Sequence, residues 1–229
     1  VAVDNLAAEG ITSMRTPHSS PLTPSAAPLT PNVIITGDVM ADALQFAAGK
    51  VAMNSDILNR LGLKPLYYLL ATIHRAENTD NPKRLENIMT ALSELATNEP
   101  VVLPLHPRTK KILGDHYTSL LTPHSSLKII EPVGYFDVIA LAQSSRLILT
   151  DSGGMQKEAY WLKVPCVTLR DETEWVETVE AGWNILAGAD KNKITNTAQN
   201  LTPPAEHPSL YGDGHAAEKI IKQLVTGHG

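Results

Sequence analysis

Leu147-Ile148-Leu149-Thr150-Asp151-Ser152-Gly153-Gly154-Met155-Gln156-Lys157-Glu158 is the stretch on which the fold of this chain turns. Its apolar start has the form of a buried strand and stops at Thr-Asp-Ser. Two glycines follow, and then residues that suit a helix. A strand running through a glycine-rich turn onto a helix N-terminus leaves N–H groups without intrahelical acceptors, and the helix dipole adds to their attraction for an anion. Ser152, Gly153 and Gly154 are therefore candidates for a phosphate pocket. Glu158 follows about one helical turn beyond Gly154, where a carboxylate can accept hydrogen bonds from a sugar diol. A nucleotide or nucleotide-sugar site is one expectation; a plain glycine-rich turn is the other.

The same four letters, Asp151-Ser152-Gly153-Gly154, also surround the nucleophile of trypsin-like proteases. That chemistry needs β-barrels and a catalytic His and Asp upstream. Alternating helices and a single cysteine argue against it here. The nucleophile elbow of α/β-hydrolases is excluded as well, because Thr150 stands where its first glycine belongs.

Outward from this stretch, apolar runs alternate with amphipathic ones. Strands are expected at Val33–Thr36, Leu66–Ala71, Val101–Leu105, Leu127–Ile130, Arg146–Thr150, Pro165–Leu169 and Asn184–Leu186. Asp38 is a suitable N-cap for a helix over Val39–Ala48, and Asp56–Arg60 continues as a helical piece. Pro82 suits the first turn of a helix running to Thr97, whose apolar stripe is Leu85, Ile88, Met89, Leu92 and Leu95. Further helices fit Thr109–Asp115, Tyr135–Gln143, Gly154–Leu162, Glu174–Ala181, Asp190–Leu201 and Ala216–Val225. Continuous apolar strands with helices between them predict an α/β fold with a doubly wound parallel sheet, Rossmann-like, whose ligands bind beyond the carboxyl ends of the strands. The polar clusters His74–Asn78, His106–Arg108, Thr150–Gly154 and Arg170–Glu174 all follow strands.

Composition narrows the function classes. A formal net charge of -5, with no cluster of Lys and Arg, argues against a nucleic-acid binder. No apolar run has the length of a membrane span, the N-terminus lacks a signal-peptide pattern, and with a single cysteine the cytoplasm is the default setting expected. Cys166 is the one cysteine, which excludes a disulfide framework; within Val164–Leu169 it reads as a small buried hydrophobe. The eight histidines show no metal-ligand spacing, and no metal is expected.

Thr72-Ile73-His74-Arg75-Ala76-Glu77-Asn78 ends the strongest strand. His74 beside Arg75 suits a diphosphate, or protonation of a leaving phosphate oxygen; a capping and ion-pairing role fits the same residues. His106-Pro107-Arg108 is equally divided between a ligand contact and a helix start. Gly212-Asp213-Gly214-His215-Ala216-Ala217 has the letters of a dinucleotide fingerprint but follows prolines rather than a strand, so it reads as a turn into the last helix. Residues 12–32, rich in Pro, Ser and Thr, read as a linker or loop. Thr-Pro-His-Ser-Ser at 16–20 and again at 122–126 is not matched by any further repeat in register.

Thr72-x-His74-Arg75-x-Glu77-Asn78, His106-Pro107, Glu131-Pro132-x-x-Tyr135, Thr150-Asp151-Ser152-Gly153-Gly154-x-Gln156-x-Glu158, Arg170-Asp171-x-Thr173-Glu174 and Tyr211-Gly212-Asp213-Gly214 occur in that order. Together they resemble the C-terminal domain of the non-hydrolysing UDP-N-acetylglucosamine 2-epimerases, over residues 33–229. Residues 1–11 resemble the end of that family's N-terminal domain, as if the chain were cut from a longer protein, and 12–32 look like an insertion. The resemblance implies a two-domain GT-B arrangement and interconversion of UDP-GlcNAc and UDP-ManNAc by elimination and re-addition of UDP, without a cofactor. It implies that His74 contacts the UDP phosphates and assists departure, that Ser152, Gly153 and Gly154 bind the diphosphate, that Glu158 binds the ribose hydroxyls, and that Tyr135 and Val138 border the uracil. Arg75 and His106 match residues that hold a second, regulatory UDP-GlcNAc in bacterial members. The acidic residues that the family uses at C2 lie in its N-terminal domain, so these 229 residues are expected to bind UDP without epimerising alone. The family commonly dimerises, and a homodimer of the full-length enzyme is expected. Trp175-Val176 stands where many members carry Arg-Pro, a variant that also resembles enzymes acting on UDP-linked diacetamido-uronic acids. A GT-B glycosyltransferase and a non-catalytic UDP-binding module are the rival classes.

Overall fold

The structure, a computed structural model, describes residues 6–9, 11, 33–114 and 126–226. The segment 12–32 lies outside them, as do the Thr-Pro-His-Ser-Ser copies apart from Ser126. Residues 6–8 are helical.

Six strands form one sheet: β1 (Leu69–Thr72), β2 (Val101–Pro104), β3 (Leu127–Ile130), β4 (Leu147–Thr150), β5 (Cys166–Thr168) and β6 (Asn184–Leu186). Their order is β3-β2-β1-β4-β5-β6 and every pairing is parallel. The chain runs outward through β1, β2 and β3, then returns to lay β4 against β1. That reversal places the topological switch point between β1 and β4, where sheets of this kind open a crevice for ligands. Leu147–Thr150 is buried at every residue, as a central strand covered on both faces must be.

Helices cover both faces. On one side α4 (Pro82–Leu95) packs with α9 (Lys191–Asn200), and Leu85, Ile88, Met89, Leu92 and Leu95 enter the core together with Ile194 and Ala198. Asn81 caps α4 by accepting from the N–H groups of Lys83 and Arg84, and Pro82 fills its first position. On the other side lie α1 (Val39–Asn54), α2 (Ile57–Leu61), α6 (Tyr135–Ser144) and α7 (Gly153–Trp161). Asp38 caps α1 as expected, accepting from Met40 N–H at 2.8 Å, and the helix runs further than its sequence pattern indicates. The remaining helices are α3 (Ala76–Thr79), α5 (Pro107–Leu113), α8 (Val176–Glu180) and α10 (Ala216–Thr226).

Val33–Thr36 is not a strand. Ile34 and Ile35 are exposed and the segment carries no regular structure; just beyond it, Asp38 N–H donates to Tyr211 C=O at 3.0 Å. An apolar run without a neighbouring edge to join stays unpaired. Leu66, expected to begin the strand that became β1, turns instead with φ of 65°. Cys166 is buried in β5 as expected, and burial pushes its thiol up to about 12. Among the described residues no helix is long and apolar enough to cross a membrane.

Candidate functional site

The site lies at the carboxyl ends of β1 and β4. There the Thr72 and Thr150 hydroxyls meet at 2.6 Å across the pairing. Beyond Thr150 the chain turns through Asp151 and Ser152 into α7. Ser152 N–H donates to Thr150 Oγ1 at 2.9 Å, and Ser152 Oγ accepts from Met155 N–H at 3.3 Å, a side-chain N-cap. The N–H groups of Gly153 and Gly154, the first two of the helix, have no intrahelical acceptor. The two glycines differ in what surrounds them. A Cβ on Gly153 would lie 3.3 Å from Trp175 Nε1 and 3.4 Å from Glu174 Oε2, whereas one on Gly154 would meet only Ser152 Oγ at 3.8 Å. Gly153 is glycine because protein surrounds it; Gly154 faces open space.

A cleft of about 360 Å³ opens here, lined by His74, His106, Val138, Ser152, Gly154 and Glu158 together with Thr72, Pro132 and Met155, among others. Three expected site residues stand outside this lining. Tyr135 opens α6 and donates from its hydroxyl to Glu158 Oε1 at 3.3 Å. Gly153 is buried, its carbonyl accepting from the Trp175 indole N–H at 2.8 Å. Arg75 points toward the same corner, its Nη2 3.6 Å from where a Gly153 side chain would begin, and its charge helps hold the Glu174 carboxyl low. The larger cause at Glu174 is Arg170, whose guanidinium donates to both carboxylate oxygens at 2.9 and 3.0 Å. Burial lifts the Glu158 carboxyl above its ordinary value, and the Tyr135 hydrogen bond offsets part of that rise.

Two features of the site were not legible in the sequence. The first is Asp151. Its fully buried carboxylate accepts from the N–H groups of His74 and Arg75 and from Asn78 Nδ2, at 3.1–3.2 Å, and lies 3.3 Å from His74 Nδ1. Asn78 Nδ2 also donates to Leu169 C=O at 2.9 Å, so the ends of β1, β4 and β5 are tied at one point. The second is Lys157. Its buried ammonium lies over the rings of Trp175 at 4.2 Å, Tyr211 at 4.8 Å and Trp161 at 5.1 Å, and pairs with Asp38. The Lys157-to-Trp161 spacing, one helical turn, was the only sequence signal for this cage.

A parallel sheet in this strand order, with a glycine-rich helix start at its switch point, defines a Rossmann-like α/β domain of the GT-B type. The chain belongs to the UDP-N-acetylglucosamine 2-epimerase family, whose model matches residues 4–225. It is 47% identical over 191 residues to a UDP-N-acetylglucosamine 2-epimerase homolog of Methanococcus maripaludis, a match covering 82% of this chain and 53% of the relative. It is 40% identical over 228 residues to the UDP-2,3-diacetamido-2,3-dideoxy-D-glucuronate 2-epimerase of Pseudomonas aeruginosa, covering 98% of this chain and 57% of that protein. A crystal structure of the Methanocaldococcus jannaschii UDP-GlcNAc 2-epimerase in complex with UDP-GlcNAc and UDP superposes with a TM-score of 0.74 at 37% identity, covering 86% of this chain and 55% of that one. The chain spans about half the length of the curated relatives it matches.

Proposed function

We propose that this chain supplies the UDP-binding half of a cytoplasmic UDP-GlcNAc 2-epimerase, homodimeric at full length, that interconverts UDP-GlcNAc and UDP-ManNAc. One observation carries this: the free N–H groups of the α7 start, the Glu158 carboxylate and the His74 imidazole belong to a single corner of the sheet, the last two lining one cleft. The diphosphate sits on the amides of Gly153 and Gly154 beside Ser152. Glu158 accepts hydrogen bonds from the two ribose hydroxyls, and Tyr135 and Val138 border the base. In the reaction a base removes the C2 proton, the C1–O bond breaks and UDP leaves with the proton-donating help of His74. The glycal is then reprotonated at C2 on its other face while UDP returns to C1. His106 lines the same cleft as His74 and, with Arg75, is assigned to a second nucleotide-sugar. Residues 12–32 are assigned to an insertion between the two halves. Calorimetric titration of the folded 229-residue chain with UDP tests the site; saturable binding is expected, and no heat of binding would refute it.

A second reading has its own support. The relative acting on a UDP-diacetamido-uronate matches nearly the whole chain, and the resemblance sets Trp175 where many family members carry Arg. Under this reading the sugar is a UDP-linked diacetamido-uronic acid, with the same nucleotide contacts.

A further inference from the structure

The proposed diphosphate site contains a histidine that lies against a buried carboxylate. Asp151 Oδ2 receives three N–H donors, from His74, Arg75 and Asn78, and Oδ1 receives the His74 amide and faces the His74 ring at Nδ1, 3.3 Å away. An ionised carboxylate only accepts hydrogen bonds. At that distance the carboxylate repels a lone pair on Nδ1 and attracts an N–H, so the contact favours the proton on Nδ1. Asp151 is fully enclosed and the His74 backbone is tied to the same carboxylate, while the His74 ring is half exposed toward the cleft.

We propose that Asp151 is a positioning residue for His74: it fixes the Nδ1–H tautomer and so makes nucleotide binding in this cleft proton-coupled. The coupling rests on the proposed binding of a diphosphate here; the tautomer does not. With Nδ1–H committed to Asp151, Nε2 is the ring nitrogen available to a ligand. In the neutral ring Nε2 carries a lone pair, which a phosphate oxygen repels. The diphosphate is therefore received by the doubly protonated ring, and binding to the neutral form draws one proton from solvent. That proton is the one Nε2 passes to a phosphate oxygen as the C1–O bond breaks, and takes back when UDP returns. The other titratable groups lining the cleft are His106, in the turn after β2, and Glu158 on α7; Arg75 adjoins His74 in the chain. The experiment must therefore assign the proton to His74.

Long-range ¹⁵N–¹H NMR of the histidine-labelled chain at mildly alkaline pH, with His74→Gln to identify the signal, reads the tautomer directly. The Nδ1–H form is expected; an Nε2–H ring overturns the proposal. Calorimetry with UDP in two buffers of different ionisation enthalpy counts protons. Uptake is expected in the wild type and is lost in His74→Gln; unchanged uptake in that variant overturns the coupling. In Asp151→Asn no ionised carboxylate lies beside Nδ1, so the preference for Nδ1–H is lost and uptake falls. A folded Asp151→Asn with the wild-type tautomer and uptake refutes the positioning role, which simple structural support for the loop would leave untouched. Should that variant fail to fold, the wild-type spectrum and the His74→Gln titration still decide. Absence of UDP binding by the folded wild type would instead overturn the proposed function and the coupling, with the tautomer decided by the ligand-free spectrum.

Discussion

The Tyr135 hydroxyl, at the start of α6, sits 3.3 Å from Glu158 Oε1 on α7, and so joins the two helices flanking the cleft. Burial holds the Glu158 carboxyl above the ordinary carboxylate range, while the phenol hydrogen bond favours the anion. For folding, the native state binds this proton more tightly than the unfolded chain does. Its stabilising contribution is complete below the unfolded value and is lost as pH rises through the folded one. For the ligand the sign is opposite, because only the anion accepts from both ribose hydroxyls. In His74→Gln, which removes the opposing proton uptake, the affinity for UDP is expected to rise with pH through a window above the usual carboxylate range. Tyr135→Phe moves the midpoint of that rise upward, and calorimetry across a pH series measures it. An unmoved midpoint would show that the contact does not tune Glu158.

Removing the carboxylate has a larger effect. Glu158→Ala is expected to weaken UDP binding by about 1.5–3 kcal/mol for each charge-assisted hydrogen bond lost, roughly ten- to a hundred-fold in Kd. An unchanged Kd would remove Glu158 from the site.

Gly153 and Gly154 should separate folding from binding. Gly154→Ala places a methyl in open space and gains about 0.5–1 kcal/mol of helix propensity, so the thermal midpoint is expected to hold or rise while UDP affinity falls. Gly153→Ala presses on the Trp175 indole and on Glu174, and is expected to lower the midpoint. The reverse pattern would show that the amides assigned to the diphosphate are misplaced.

Lys157→Met keeps the stem but deletes a cation held by three rings and Asp38. Leaving Asp38 without its partner is expected to cost about 2–3 kcal/mol, below the full penalty of a buried pair because Asp38 also caps α1. Denaturant unfolding measures this. Adding Asp38→Asn should recover part of the loss, and strict additivity of the two changes would show that the pair is not coupled.

The 229 residues are expected to bind UDP-GlcNAc without exchanging its C2 proton. Proton NMR in deuterated water is the measurement; deuterium appearing at C2 would place the base within this chain. Competition between UDP-GlcNAc and a UDP-diacetamido-uronate, with Trp175→Arg as the variant, decides between the two sugars.

The sheet was legible in the sequence because its strands are continuous apolar runs, and Leu127–Ile130 and Asn184–Leu186 fall where their residues place them. Val33–Thr36 shows the limit: the same kind of run, with no edge to pair with, lies exposed. The placement of the glycine turn and of Glu158 one helical turn beyond it was legible since both belong to one local strand-to-helix segment. Asp151 and Lys157 were not. Their meaning comes from partners far away in sequence, His74 and Asn78 for one, Asp38, Trp175 and Tyr211 for the other, and no local pattern encodes such meetings.

Gly37 and Gly212, both with φ of +97°, lie back to back; a Cβ on Gly212 would come within 2.9 Å of the Gly37 Cα. Gly212 is closed to side chains on two counts, conformation and contact, whereas Gly37, whose Cβ would meet nothing nearer than the Tyr211 carbonyl at 3.4 Å, is closed by its conformation. In a saturation mutagenesis scan these two distant columns would go blank together, and pairwise covariation would be silent there, since neither residue has an alternative for the other to accommodate.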